Sequence, residues 1–270
     1  MNMHMIKAAM MNLLLLLVAA PMLLAKGPND TEEKESPFPK TGLRFVICSS
    51  GNVELPSPLY VKVGKDYQPV TISRRMPSPR VTTEGGMVKF YAENPAQAGA
   101  VGKQVKIEPV LTINVPDAYC VPTLKALCLL QISSNSSEPP TTYFLKETDF
   151  KIGGVHVINL TPNKLEIITD PSGNFDGAEK RAFIEPAENT KNISGKASYV
   201  WSYDGKGKAD HQRVNFVLQA MPSEKRKEPL RIRSSVFMVS KDLSQINVVM
   251  QDPNRNNVYM LQSVQYGSNR

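Results

Sequence analysis

The sequence predicts an all-β protein: two tandem Ig-like antiparallel β-sandwich domains behind a signal peptide and a disordered leader. Three observations carry this. Short apolar segments with period-two alternation recur along the 270 residues, separated by Pro, Gly, Asn and Asp. That is the pattern of a sandwich or barrel. No stretch holds a convincing helical period; the one candidate, 174–181, is short and poorly capped. Finally, the two halves of the chain repeat one order of short motifs.

The chain begins with Met1–Lys7, then an apolar run from Ala8 to Leu24 broken by Pro21, then Ala25 with Leu23 two positions before it. This is the layout of a secretory signal peptide, removed after residue 25. At about 17 residues the run sits at the lower edge for a membrane span. No Cys follows it, which argues against a bacterial lipoprotein. Residues 26–42 contain KGPNDTEEKESPFPKT, charged and without periodicity, and read as a disordered leader. No later stretch is long and apolar enough to cross a membrane as a helix, so the mature chain is expected to be exported, periplasmic or extracellular, with no integral span.

Strands are expected from Leu43 onward. LRFVICSS (43–50) is apolar and β-branched. SPLYVKVG (57–64) alternates, with Leu59, Val61 and Val63 on one face and Tyr60 and Lys62 on the other. YQPVTIS (67–73), MVKFYAE (87–93) and VKIEPVLTINV (105–115) follow, the last with a bend or edge at Pro109. ALCLLQIS (126–133) is apolar on both faces, as in a central strand. TYFLKETDF (142–150) closes the first half. The second half offers GVHVINL (154–160), KLEIITD (164–170), RAFIEP (181–186), ASYVWSYD (197–204), RVNFVLQAM (213–221), LRIRSSVFMVS (230–240), QINVVMQD (245–252) and NVYMLQSVQY (257–266).

Phe45-Val46-Ile47-Cys48 aligns with His156-Val157-Ile158-Asn159, Val88-Lys89-Phe90 with Val214-Asn215-Phe216, and Tyr143-Phe144-Leu145 with Tyr259-Met260-Leu261. The offsets of 111 to 126 residues match one sandwich domain. The alignment makes SSNSSEPPT (133–141) a hairpin loop and moves the junction to Lys151-Ile152-Gly153-Gly154. The predicted domains are therefore 43–150 and 151–270.

The formal charge is +7, and removing Lys7 leaves +6, mildly basic and spread out. The densest basic run is SEKRKEPLRIR (223–233), with Lys225, Arg226, Lys227, Arg231 and Arg233. It is the candidate ligand-binding face, since Arg231 and Arg233, two apart on a strand, share a side. Its expected partner is an anionic envelope polymer or another envelope protein; export and the lack of interleaved aromatics exclude nucleic acid. Export permits disulfides, and Cys120 and Cys128 are close enough in sequence to bridge across a hairpin or to remain free. Cys48 reads as a buried apolar residue.

The pattern provides no catalytic set, metal site or cofactor motif. His156 and His211 are the two histidines of the mature chain, with no G-x-S-x-G elbow, H-E-x-x-H or C-x-x-C to join. DPSGNFDG (170–177) alternates oxygen ligands, but its glycine is misplaced for an EF-hand and Arg181 stands where a bidentate Glu would. Of the sequons at Asn29, Asn135, Asn159 and Asn192, Asn159 reads as the turn residue that ends its strand. Trp201 is the expected core aromatic of the second half.

The segments FVIC and VHVINLTPNKLEI, on a two-part exported β chain, resemble uncharacterised exported β-rich proteins of Planctomycetes–Verrucomicrobia-type Gram-negative bacteria. That resemblance implies export and a β fold and transfers no site residue. The expected function is a non-enzymatic exported binding or envelope-associated module. The alternative is a hydrolase of cell-wall or extracellular polysaccharide using two of Glu147, Asp149, Asp170, Glu185 and Asp204 as paired carboxylates.

Overall fold

Strand β1 (Gly42–Cys48) is buried on both faces, and the fold is built outward from it. The computed structural model describes residues 38–267, apart from 50–54, 84, 99–106, 133–138, 151–152, 171–178, 189–192, 194–196, 203–210, 225, 241–242, 253–254 and 256–257. The expected signal peptide, residues 26–37 of the leader and half of the junction lie outside the described residues. Pro37–Arg270 forms one compact unit.

After β1 come β2 (Leu59–Val63), β3 (Asp66–Val70), β4 (Met87–Tyr91), a short helix α1 (Pro95–Ala98), β5 (Leu111–Asn114), β6 (Lys125–Gln131) and β7 (Thr141–Lys146). Then follow β8 (Gly154–Asn159), β9 (Leu165–Asp170), β10 (Lys180–Ile184), β11 (Ser198–Ser202), β12 (His211–Ala220), β13 (Leu230–Ser240), β14 (Leu243–Gln251) and β15 (Tyr259–Gly267). The chain is all-β, as its period-two patterning requires. Two expected strands are shortened for local reasons. Pro109 cannot donate to a ladder, and β5 begins after it. The segment after Lys146 turns into a 3-10 helix, Glu147–Asp149.

The strands form four sheets, ordered β3-β2-β4-β5, β1-β6-β7, β11-β8-β14-β15 and β10-β9-β12-β13. The pairing is antiparallel except for β1 with β6 and β8 with β14. Those parallel pairs depart from the all-antiparallel expectation. In each, the chain leaves an inner strand, builds an outer sheet and returns beside its start, and a parallel return needs such a long crossover. The topology repeats: β3-β2-β4-β5 corresponds to β10-β9-β12-β13, and β1-β6-β7 to β8-β14-β15, with β11 added.

Side-chain alternation turns these sheets into a four-layer stack. Leu43, Phe45 and Ile47 of β1 pack with Leu59, Val61, Phe90 and Ile113 of the first outer sheet. Val46 and Cys48 point the other way, and with Leu127, Leu129, Tyr143 and Leu145 they meet Ile158, Ile246, Val248, Met250 and Val264 of the second inner sheet. Val155, Val157 and Val249 on that sheet's far side pack with Leu165, Ile167, Val214, Phe216 and Leu218. Trp201 lies at this third core, partly buried. Each fully buried aliphatic or aromatic side chain contributes about 1.5–3 kcal/mol. The middle layer alone therefore rivals a sandwich core.

Polar contacts pin the same middle layer. Arg80 makes a bidentate pair with Glu147, both oxygens at 2.6 Å. Both side chains are nearly buried, at 13% and 12% exposure. Tyr266 of β15 hydrogen-bonds into this pair, stacks on Phe150 at 5.2 Å and carries the Arg44 guanidinium 5.3 Å from its ring centre. Gln262 Nε2 donates to the carbonyls of Ile47 (2.6 Å) and Arg74 (2.9 Å). Segment 73–81 covers the free edge of β1 through Ile47 N–Ser73 O and Ser78 N–Phe45 O. That cover needs glycine at its end: Gly42 has φ +111, and a Cβ there would sit 2.3 Å from the Val81 carbonyl oxygen.

Burial leaves titratable groups that oppose alkali. Desolvation raises the Cys48 thiol from about 9 to about 12, with Arg74 opposing. Burial, then the bond to Glu147 and its charge, raise the Tyr266 phenol to about 12 against Arg80. Burial, then Asp149 and Cys128, raise Tyr119 to about 12. Between the unfolded and folded values the unfolded chain has lost protons that the native protein keeps, so stability falls with rising pH. The urea midpoint is expected to hold to about pH 8.5 and fall continuously from pH 9 to 12. Cys48→Ala should flatten the early part of that slope and Tyr266→Phe the later part. A midpoint unchanged to pH 11 would contradict the assignment.

Candidate functional site

The basic hairpin between β12 and β13 is split by its own hydrogen bonding. Arg226 folds back into the turn: its guanidinium donates to the carbonyls of Ala220 (3.0 Å), Met221 (2.6 Å) and Glu228 (2.8 Å). Its backbone pairs with Ser223 in both directions. It therefore holds the turn rather than presenting a charge. Lys227, Arg231 and Arg233 are exposed, and Lys225 lies outside the described residues. A β-bulge opposite Leu218 and Gln219 falls between Arg231 and Arg233. It interrupts the alternation that would set the two arginines on one face. Arg231 instead ends a cross-strand row, Phe183–Glu166–Gln219–Arg231. There Glu166 accepts from Gln219 and pairs with Arg181 at 3.4 Å. The sequence-predicted face thus reduces to exposed Lys227 near the turn and two exposed arginines at a sheet edge, beside a buried carboxylate.

The other sequence candidates separate. Cys48, Cys120 and Cys128 are all free, so the bridge left open between Cys120 and Cys128 is not formed. Cys128 is buried in β6, whereas the Cys120 thiol lies 3.6 Å from the carbonyl oxygens of Val115 and Pro116. Among the carboxylates, Glu147 is held by Arg80, and Glu185 pairs with Lys164 at 2.7 Å. Asp170 is buried at the end of β9, Asp149 is exposed, and Asp204 is outside the described residues. His156 is buried against Phe150, rings 5.0 Å apart and perpendicular, and His211 opens β12. Asn159 ends β8 fully buried. Its Oδ1 accepts from Thr161 N and Oγ1, and its Nδ2 donates to the carbonyls of Asn163 and Ile184. That sequon is structural. Among the described residues no group of three His, Cys, Asp or Glu could hold a metal ion.

A different cluster appears on the outer face of the first outer sheet. Val61, Lys62, Tyr67, Thr82, Met87, Val88, Lys89 and Tyr91 line a half-open depression of about 170 Å³. Register builds it. Lys62 faces Tyr67 across the β2–β3 hairpin. Tyr60 pairs with Tyr91 and Val61 with Phe90 across β2–β4, which puts Lys62 and Lys89 one rung further along the same two strands. Val61 and Phe90 turn into the core, so the residues alternating with them turn out. The Tyr67 and Tyr91 rings meet edge to face, 5.6 Å apart at 87°. The Tyr91 phenol is raised by burial, then by its Tyr67 neighbour and the charge of Glu108, with Lys62 opposing. The depression thus pairs an aromatic wall with two ammonium groups.

Part of this cluster was readable. Alternation put Tyr60 and Lys62 on one face of their strand, opposite Leu59, Val61 and Val63. The meeting of that face with Tyr67, Lys89 and Tyr91 depends on the β2–β4 pairing, with β3 and residues 71–86 in between, which has no local signal. Comparison with known proteins finds no matching family model and no similar curated protein.

The hairpin assignment has a direct check. Arg226→Ala should cost about 1.5–3 kcal/mol, the range for hydrogen bonds to a charged group. Arg231→Ala and Arg233→Ala should stay within about 0.5 kcal/mol of the parent. Urea unfolding of the three variants reads the difference; equal, small effects would remove Arg226 from its structural role.

Proposed function

We propose that the chain is an exported, non-enzymatic binding module of two tandem Ig-like β-sandwiches, 43–150 and 151–270, acting in the periplasm or outside the cell on an anionic envelope polymer. The observation that carries this is how the sheet faces are used. Both inner sheets are covered on both sides by the three cores. Recognition is left to the outer faces of the two outer sheets, to strand edges and to loops. Flat sheet faces carrying basic and aromatic side chains suit a long polymer better than a small molecule.

Further support comes from the repeated sheet order, which the paired motifs of the sequence anticipate and which suits a duplicated sandwich. The Arg80–Glu147–Tyr266 cluster and the shared middle core argue for a stiff particle rather than two beads on a linker. A paired-carboxylate hydrolase finds less support, because Glu147 and Glu185 each sit in an ion pair with a base. The resemblance to exported β-rich bacterial proteins points the same way.

The experiment is an array of acidic and neutral glycans probed with the chain from Lys26, alongside a reducing-end assay on the glycans that bind. Saturable binding to acidic glycans, weakened by salt and without new reducing ends, is the expected result. Reducing ends lost on Glu147→Gln or Glu185→Gln would instead establish the hydrolase. Retention of no glycan would overturn the polymer reading.

A further inference from the structure

We propose that the outer edge of β13 is a docking site for an extended segment of another protein, one with uncharged β-branched residues at its centre and carboxylates at both ends, which adds to the sheet as a further strand. This surface lies beyond the glycan reading and does not rest on it.

A strand at a sheet edge offers backbone donors and acceptors to any extended chain, and folded proteins blunt such edges with short strands, proline, lysine or a covering segment. Among the described residues the other edges are managed in these ways. Residues 73–81 cover β1, the Ile193 N–H donates to the Phe144 carbonyl on β7, and the Gln265 N–H of β15 donates to the Arg75 carbonyl. Strand β3 has five residues and contains Pro69, β5 has four, and β10 and β11 have five each. By contrast, β13 ends its sheet with 11 residues and contains neither proline nor lysine. Its bulge falls between Arg231 and Arg233; from Ser234 to Ser240 it runs in unbroken register with Val217 back to His211. That stretch, SSVFMVS, carries no charge. Phe237 turns into the third core, so Val236 and Met238 take the outer face, where Met238 is 50% exposed. An added strand would lie beside both, its backbone supplying the hydrogen bonds on which strand addition depends.

Charge decides the occupant. Arg231 and Arg233 are exposed at one end of the stretch, and Lys241 follows it at the other. Two copies pairing antiparallel through Ser234–Ser240 would set Arg233 of each against Lys241 of the other, and like charges directly opposite are destabilising. Carboxylates at both ends of a foreign strand would pair favourably instead. The chain's own acidic leader stretch, NDTEEKES, lacks the β-branched apolar centre.

The test is titration of the chain from Lys26 with a fluorescent peptide of alternating Thr and Val flanked by glutamates. Two control peptides carry lysines in place of the glutamates, or prolines in place of alternate valines. Anisotropy reads affinity, amide hydrogen exchange locates the peptide, and light scattering reads the mass of the complex. The expected result is a one-to-one complex with the glutamate peptide and slowed exchange confined to β13. The lysine peptide should bind about tenfold more weakly, because attractive cross-strand pairs become repulsive. The proline peptide should not bind, because it lacks ladder donors. Val236→Lys/Met238→Lys, which gives this edge the charges that blunt others, should weaken the glutamate peptide about tenfold. Arg231→Glu/Arg233→Glu should erase the preference for glutamate over lysine. All four positions are exposed or half-exposed, and circular dichroism confirms that each variant folds. Equal binding of the glutamate and proline peptides would reduce the contact to charge attraction and overturn strand addition. No binding of the glutamate peptide, or slowed exchange at another edge, would overturn the site. An unchanged preference in the arginine variant would overturn the acidic assignment. Dimerisation of the peptide-free chain, abolished by the lysine variant, would give the edge to a second copy; exchange at 234–240 already slow in the peptide-free monomer would give it to this chain's own residues. Either result would overturn the foreign partner.

Discussion

Everything in this protein depends on one apolar contact, the face of β1-β6-β7 against the face of β8-β14-β15. Val46, Cys48, Leu127, Leu129 and Leu145 come from one side and Ile158, Ile246, Val248 and Met250 from the other, and all are buried. Strands in such a position have no solvent side. That is why β1, β6 and β8 read as nearly unbroken apolar runs rather than as alternating ones. Burying the polar groups at the rim of that contact requires partners. Arg44 donates to the carbonyls of Ser78 and Pro77, Arg80 is taken up by Glu147, and Gln262 donates to Ile47 and Arg74.

This contact decides where function can reside. A two-sandwich chain joined by a free linker would offer four outer sheet faces. Here the stacking consumes two of them, and what remains is one exposed face at each end of the stack, plus loops and edges. The two end faces differ in chemistry. On β10-β9-β12-β13, Glu166 and Arg181 neutralise each other beside Gln219. On β3-β2-β4-β5, Tyr67 and Tyr91 meet edge to face in a depression that Lys62 and Lys89 also line. The duplication of sheet order thus carries no duplication of surface.

The strands were legible in the sequence because period-two alternation and turn residues are local signals. So was the central character of ALCLLQIS, and so was the inert role of Asn159 at the end of its strand. Three kinds of feature were not legible. The parallel β1–β6 and β8–β14 pairings depend on a return after a whole sheet, and nothing in FVIC or VHVIN distinguishes a parallel neighbour from an antiparallel one. The Arg80–Glu147 pair joins residues 67 positions apart. The basic run 223–233 looked uniform by composition, whereas backbone carbonyls of the turn capture Arg226 and a bulge separates Arg231 from Arg233. Composition counts charges; it does not show which of them the fold has already spent.

The claim that the middle core fuses both halves into one cooperative body is open to a single measurement. Trp201, the chain's one tryptophan, reports on the second half. Cys128, buried between the first two sheets, reports on the first. Urea unfolding followed by Trp201 fluorescence and by peptide-resolved alkylation of Cys128 should give one shared midpoint and slope. Two transitions, with Cys128 exposed at a urea concentration where Trp201 remains native or the reverse, would contradict it.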